Sequence, residues 1–374
     1  MSYVTYLASR DLPSGRPPRR VAREAFERLL DNLLEHGRYA LHQMKSELER
    51  GSTEVRSLVE AGYLQVHGSG QVELSPMALR ASEERQLLEL FRPRGDALAG
   101  QHDLARPGPG PEPGDEVQPY QPGEPLDHLD LAGTLREALA RGWPLTLTDD
   151  DIRVRPGPAT GRCACVLLID LSGSMERHNK FPAARRAALA LRALIRSRFP
   201  GDVLVTGGFA TRANLLPGAR LLEARPHSVG LYDPHEAGRR LPGDAPEVPD
   251  HFTNIQAGLR LARKVLRREA HAARQILLIT DGEPTAHLEG SDLVLAYPPT
   301  EATFRHTLEE ARRCAAEGIA LGVFGLVGEF SPPGLEPFLD RLARAGRGTS
   351  LCCSPRRLAS NLVHRFLRTR SGQE

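Results

Sequence analysis

The sequence predicts an α/β protein: a doubly wound, mostly parallel, Rossmann-like sheet preceded by a small helical module of winged-helix character. Three observations carry this expectation. From Cys163 onward, apolar runs of strand length alternate with amphipathic runs of helix length, the pattern of strands joined by crossover helices. The first of those runs, CACVLLID, is apolar almost without a break, as a strand covered on both faces must be. A Pro- and Gly-dense stretch, ARPGPGPEPGDEVQPYQPGEP, separates this half from a helical N-terminal part.

In chain order, residues 21–50 place Val21, Phe26, Leu29, Leu30, Leu33 and Leu34 near helical spacing, with Gly37 as a break. EVRSLVEAGYL is a further helical segment, LQVHGSGQVEL a hairpin about a Gly-rich turn, and SPMALRASEERQLLELF a closing helix. This order resembles a winged-helix unit. Its recognition segment, however, carries Glu54, Arg56 and Glu60 in place of a basic stripe, so the module is expected to dock on another protein or on the main domain and not on nucleic acid. The division expected is a module over 1–104, a linker over 105–125, a lead-in over 126–160 and the main domain over 161–374. The lead-in holds a helix with Leu129, Leu131, Leu135, Leu139 and Trp143, then LTLTDDDIRVRP as a connecting strand or hairpin. In the main domain strands are expected at 163–170, 202–209, near 219–224, 275–280, 319–327 and 347–353. Helices are expected near 180–198, near 254–270, and at 301–317, 334–345 and 357–370.

Composition narrows the function classes. The 374 residues carry a formal charge of only +2, so no global field draws the chain to nucleic acid or anionic membrane. Cys163, Cys165, Cys314, Cys352 and Cys353 are odd in number and form no CxxC pair, which fits a reducing cytoplasm. Cys163 and Cys165 read as small buried hydrophobes and not as soft-metal ligands. No apolar run has the length of a signal peptide core or a membrane span, so a cytoplasmic location is expected.

The chemistry gathers where the strands end. Asp170-Leu171-Ser172-Gly173-Ser174 follows the first buried strand, Thr253 in HFTNIQAGL precedes an amphipathic helix, and Asp281 in ILLITDGEPT closes a later strand. Each alone also fits a helix cap or a tight turn. Together, two acids and three hydroxyls at the carboxyl edge of one sheet suit Mg²⁺, a hard cation that takes oxygen ligands and retains several waters, with Mn²⁺ as the alternative ion.

With those parts in order, the chain resembles the von Willebrand factor A fold carrying a metal-ion-dependent adhesion site: DxSxS is Asp170-Ser172-Ser174, the separate threonine is Thr253, and TDG is Thr280-Asp281-Gly282. The resemblance implies that Ser172 and Ser174, with Thr253 as a third candidate, touch the ion directly while Asp170 and Asp281 act largely through waters. An acidic side chain of a partner then completes the shell. A narrower resemblance rests on LLIDLSGSM, on ITDGEPTAHLEG with the following YPPT, and on LEEARRCAAEGIALGVFGL. These look like prokaryotic cytoplasmic proteins related to the D subunit of magnesium chelatase and, more loosely, to CoxE-type proteins.

That group implies a partnership with a MoxR-type AAA+ ATPase. The chain has no GxxxxGK[ST] loop, so the motor is expected to be another polypeptide. The expected function is a metal-dependent, non-catalytic adaptor that grips an acidic residue of a client protein or of the ATPase. The alternatives are a subunit of a chelatase-like metal-insertion complex and a stand-alone metal-dependent hydrolase using Asp170, with Glu176 or His178 as its base. Two outward basic faces, Arg260, Arg263, Lys264, Arg267 and Arg268 on one helix and Arg185, Arg192 and Arg196 on another, are weak candidates for docking on an acidic ATPase ring. Removal of residues 1–104 is expected to leave a folded main domain.

Overall fold

The computed structural model describes residues 20–67, 71–91, 118–119, 129–140, 142, 147–154, 162–228, 238–243, 245, 248–269, 273–328 and 331–370. Apart from Gln118–Pro119, the expected linker lies outside the described residues, as does part of the expected lead-in. The chain divides into two compact units, Met1–Arg92 with Arg162–Phe366, and Pro93–Gly161 with Leu367–Glu374.

The larger unit begins with α1 (Arg20–His36), α2 (Arg38–Glu49) and α3 (Thr53–Glu60), then the antiparallel hairpin β1 (Leu64–Val66) and β2 (Val72–Leu74), then α4 (Pro76–Phe91). Phe26, Leu29, Leu30, Leu33 and Leu34 of α1 are all buried, as their helical spacing predicts. Ser52 caps α3 by accepting from Val55 N. In the smaller unit β3 (Gln118–Pro119) pairs antiparallel with β4 (Arg153–Val154), and α5 (Leu131–Ala140) lies between them in sequence.

The main sheet follows from β5 (Cys163–Asp170), whose eight residues are all buried. Next come α6 (Lys180–Arg198), β6 (Val203–Phe209), β7 (Ala213–Leu215), α7 (Gly218–Glu223) and β8 (Arg240–Pro242). The chain continues through α8 (Ile255–Leu266), β9 (Ala273–Thr280), β10 (Ala286–Glu289), β11 (Asp292–Leu295) and α9 (Glu301–Ala316), and ends with β12 (Ile319–Leu326), α10 (Leu335–Ala345), β13 (Ser350–Cys353) and α11 (Leu358–Arg370). Six strands form one sheet in the order β13-β12-β9-β5-β6-β7, parallel except for β7, with β5 and β9 at the centre. The core beneath it joins Val166, Leu168, Ile276 and Leu278 from the strands to Ile255, Leu259, Leu308 and Leu339 from the helices.

One expectation needs correction. The segment near 219–224 is the helix α7, and the antiparallel strand comes earlier, at Ala213–Leu215. A short apolar run is ambiguous by pattern; Leu221 and Leu222 are adjacent and both fully buried, which a helix pressed into a corner allows. A second sheet, order β10-β11-β8, was not anticipated; it closes over its own small core of Val248, Phe252, Ala286, Leu293 and Leu295. The N-terminal helices share a compact unit with the main domain, one of the two docking places expected for them.

Helix α6 is the reason they share it. Buried residues lie on nearly every side of α6, and Arg185 is only 1% exposed. One guanidinium nitrogen of Arg185 donates to the carbonyl of Leu33 in the last turn of α1, another to the carbonyl of Ala224 at the end of α7, and the group lies over the Phe181 ring. Two helix C-termini, each presenting carbonyls and the negative end of a dipole, thus converge on one cation. Further along, Glu83 of α4, 1% exposed, accepts from Arg192 at 3.0 Å and from Arg196. The basic face assigned to α6 is therefore spent inside the molecule. On α8, Arg260 and Arg263 pair with the buried Glu310, and Arg263 and Arg267 with Glu317, whose carboxyl these two arginines hold down at about 2. Of that face only Lys264 and Arg268 stay exposed without such a pairing to α9.

Candidate metal centre

Parallel pairing sets β5 and β9 in register from Cys163 opposite Ala273 to Ile169 opposite Ile279, so Asp170 and Thr280 leave the sheet side by side. Thr280 Oγ1 donates to Asp170 Oδ2 at 2.6 Å, and Ser172 N donates to Asp170 Oδ1 at 2.8 Å. Those bonds hold a carboxylate that is fully buried. The chain then turns through a short 3-10 helix, Gly173–Glu176, with Gly173 N bonded to the carbonyl of His251 at 3.1 Å. This turn brings Ser172 Oγ and Ser174 Oγ to 3.2 Å, and Ser174 Oγ donates to Asp281 Oδ1 at 2.6 Å.

Thr253 arrives from a third segment. Its N–H donates to Thr285 Oγ1 at 2.8 Å, and its carbonyl accepts from Thr285 N and Ala286 N at 2.9 and 3.1 Å. The next residue, Asn254, caps α8 through Oδ1 and the N–H of Ala257 at 2.9 Å. Gly282 lies where these groups meet: a Cβ there would stand 3.5 Å from Thr253 Oγ1 and 3.9 Å from Ser174 Oγ. A longer side chain would enter the space the hydroxyls share. All five residues expected at the site, Asp170, Ser172, Ser174, Thr253 and Asp281, thus fall on one edge of the sheet.

The electrostatics favour a cation. Burial first, and then the Asp281 carboxylate, push Asp170 up to about 7, against the opposing hydrogen bonds from Thr280 and Ser172. No basic side chain among the described residues bonds to Asp170. The separation of the two seryl oxygens, 3.2 Å, is close to the roughly 2.9 Å edge of an octahedron with the 2.0–2.1 Å bonds of Mg²⁺. The donor set and its spacing therefore fit a hard divalent ion.

One residue of the site was not singled out from sequence. Lys180 Nζ donates to Asp281 Oδ2 at 2.6 Å, with the carboxylate side chain fully enclosed and the lysine side chain 13% exposed. His178 and Asn179 precede it with φ of 56° and 59°, a left-handed turn that folds the first residue of α6 back toward β9. A lysine in the first turn of a helix opposes the helix dipole, and that misplaced charge was the available signal. Glu176, named above as a base, pairs instead with Arg225 at 3.9 Å.

Comparison with known proteins places this edge in a family. A profile described as "Rv0959-like protein, vWA domain" matches residues 163–367. The uncharacterized protein Rv0959 of Mycobacterium tuberculosis and its counterpart Mb0984 of Mycobacterium bovis are each 32% identical over 328 residues, 84% of this chain. The match spans 44% of the length of these relatives. Among solved structures, the PilB minor pilin of Streptococcus sanguinis has a TM-score of 0.43 at 17% identity, covering 60% of this chain and 65% of its own. The vWF domain of the pilus tip protein Mfa5 from Porphyromonas gingivalis has 0.41 at 13%, covering 58% and 98%. The manganese-loaded TRAP protein of Plasmodium vivax has 0.35 at 16%, covering 55% and 74%. With its six-stranded sheet, its edge of acids and hydroxyls, and the profile match across the whole main domain, the chain belongs to the Rv0959-like family of von Willebrand factor A domain proteins.

Proposed function

We propose that the chain is a metal-dependent protein-binding adaptor. The observation that carries the reading is Asp170: a fully buried carboxylate beside a second one, with no basic partner bonded to it among the described residues. Ser172, Ser174 and Thr253 would hold Mg²⁺ or Mn²⁺ directly, and Asp170 and Asp281 would orient its waters. With few anionic direct ligands the ion stays electron-poor, so it binds an acidic side chain of a partner strongly.

The partner in this reading is a client protein or a separate MoxR-type AAA+ ATPase, with the pair remodelling or metallating the client in the cytoplasm. The resemblance of LLIDLSGSM and ITDGEPTAHLEG to chelatase-related proteins supports it, as does the lack of a phosphate loop in the sequence. Because most of the arginines of α6 and α8 are engaged inside the fold, the metal edge and the outer surface of the N-terminal helices are the contacts this reading uses. Catalysis is disfavoured because the position two residues after Asp170 holds Ser172, where a phosphoaspartyl enzyme needs a second acid.

The test is affinity purification of the tagged chain from its host in Mg²⁺ and in EDTA, with Asp170→Ala alongside. An ATPase or acidic client recovered only with metal and intact Asp170 is the expected result; recovery that is equal in EDTA overturns the reading. A second prediction concerns Lys180. The ammonium neutralises Asp281 when no ion is bound and competes with the ion for it. Lys180→Met is therefore expected to lower the melting temperature in EDTA yet tighten Mg²⁺ binding, measured by thermal melts across a Mg²⁺ titration.

A further inference from the structure

We propose that His287, Glu289 and His306 form a second metal site, one that takes a borderline transition-metal ion of the Zn²⁺ class through two imidazoles and one carboxylate. The inference does not depend on the oxygen-rich centre. His287 and Glu289 lie two residues apart on β10 and so share a face of that strand, and His306 reaches them from α9. One ligand atom from each of the three residues lies within 4.8 Å of the other two.

The spacing is what separates a metal site from a simple ion pair. His287 Nε2 and His306 Nε2 stand 3.3 and 3.5 Å from the same oxygen, Glu289 Oε1. A charge-assisted hydrogen bond closes to about 2.7–2.9 Å. Ligands on a tetrahedral ion with bonds of about 2.0–2.1 Å stand roughly 3.3–3.4 Å apart, which is the separation found here. The two rings stack at 4.7 Å with 14° between their planes, so one ring must turn about its Cβ–Cγ bond for both Nε2 lone pairs to meet on one ion.

Two neighbouring features agree and one opposes. Arg240 donates to Glu289 Oε2, which leaves Oε1 turned toward the histidines. Glu309 Oε2 lies 3.9 Å from His306 Nδ1, where an outer carboxylate orients a metal-bound imidazole. The His287 ring is 1% exposed, yet its Nδ1 has no hydrogen-bond partner among the described residues. With a metal at Nε2 the proton sits on Nδ1, and leaving that N–H bare costs about 1–3 kcal/mol that the metal bond must exceed.

Only three protein ligands are offered, and His306 and Glu289 are partly exposed, so a water fills the fourth position. Nitrogen donors here and an all-oxygen set at Asp170 would sort two classes of ion within one fold. A bound ion would also fix β10, whose first residue, Ala286, is bonded to the carbonyl of Thr253.

The experiment uses the full chain in excess Mg²⁺, so that the oxygen-rich centre is supplied. Co²⁺ is added as a visible probe and displaced with Zn²⁺. One equivalent with four-coordinate ligand-field bands and no thiolate charge-transfer band is expected. His306→Gln and Glu289→Gln, both at partly exposed positions, are expected to weaken Zn²⁺ binding by at least about 100-fold, Glu309→Gln by about 10-fold, and Asp170→Ala not at all. Circular dichroism checks that each variant is folded. No saturable Zn²⁺ binding, binding that survives His306→Gln in a folded protein, or thiolate bands from the cysteines would each overturn the assignment.

Discussion

Arg185→Leu is expected to destabilise the full chain by about 1–3 kcal/mol, since it removes the donor to the Ala224 carbonyl and one of the two donors to the Leu33 carbonyl, the other being Gly37 N. Leu33 and Ala224 lie at the ends of α1 and α7, which also approach each other at Gly37 and through the Arg38–Glu223 ion pair at 3.6 Å. Burial already pulls Arg185 down to about 9, so the fold bears a desolvation cost to keep it. Leucine removes that cost, which bounds the loss from above. Gly37→Val tests the same junction without touching charge. Gly37 has φ of +56°, and a Cβ would stand 2.8 Å from the backbone oxygens of both Glu223 and Ala224. Neither backbone oxygen can step aside, so a comparable loss is expected. Denaturant unfolding of both variants measures it. For the same reason a chain that starts after residue 104 is expected to aggregate, because it exposes the apolar outer side of α6 along with Arg185.

Asp170→Asn is expected to abolish the response to metal. In EDTA the wild-type carboxyl has a folded-state value near 7 against an ordinary value of 3.8, so the folded state holds its proton more tightly than the unfolded chain. The resulting stability is fully present below about 4 and is lost as pH rises through 7. Metal-free wild type should therefore melt at progressively lower temperature between pH 4 and about 8, whereas Asp170→Asn should be flatter across that window and more stable than wild type at its upper end. Added Mg²⁺ should rescue only the wild type, by about 2.7 kcal/mol at 100 times its dissociation constant. A variant that still gains stability from Mg²⁺ would show that Asp170 is not needed to hold the ion.

The alternation of the main domain was legible because β5, β9 and β12 are near-continuous apolar runs bounded by turn residues, and the helices between them carry regular buried stripes. All five residues of the candidate centre were legible because short motifs at strand ends need no knowledge of long-range packing. What escaped was non-local. The β10-β11-β8 sheet is built of strands of three or four residues, too short for a pattern to register, and β8 reaches the local β10-β11 hairpin from far upstream in the sequence. The arginines of α6 and α8 were misjudged because helical spacing reports which face a residue occupies but not whether another helix covers that face. Glu83 and Glu310, buried acids on α4 and α9, are the partners that a one-helix view omits. His306 lies 17 residues from Glu289 in sequence, so its approach to β10 was equally invisible.

Helix α6 has a mechanical meaning. Its 19 residues span about 28 Å at 1.5 Å per residue. Lys180 fastens one end to Asp281 at the metal edge, and Arg192 and Arg196 fasten the far end to Glu83 on α4. Arg185, between them, grips the ends of α1 and α7. A rod clamped at both ends by charge works as a lever. An ion that competes with Lys180 for Asp281 would release the restraint on that end, while Arg192 and Arg196 keep the other end held to Glu83.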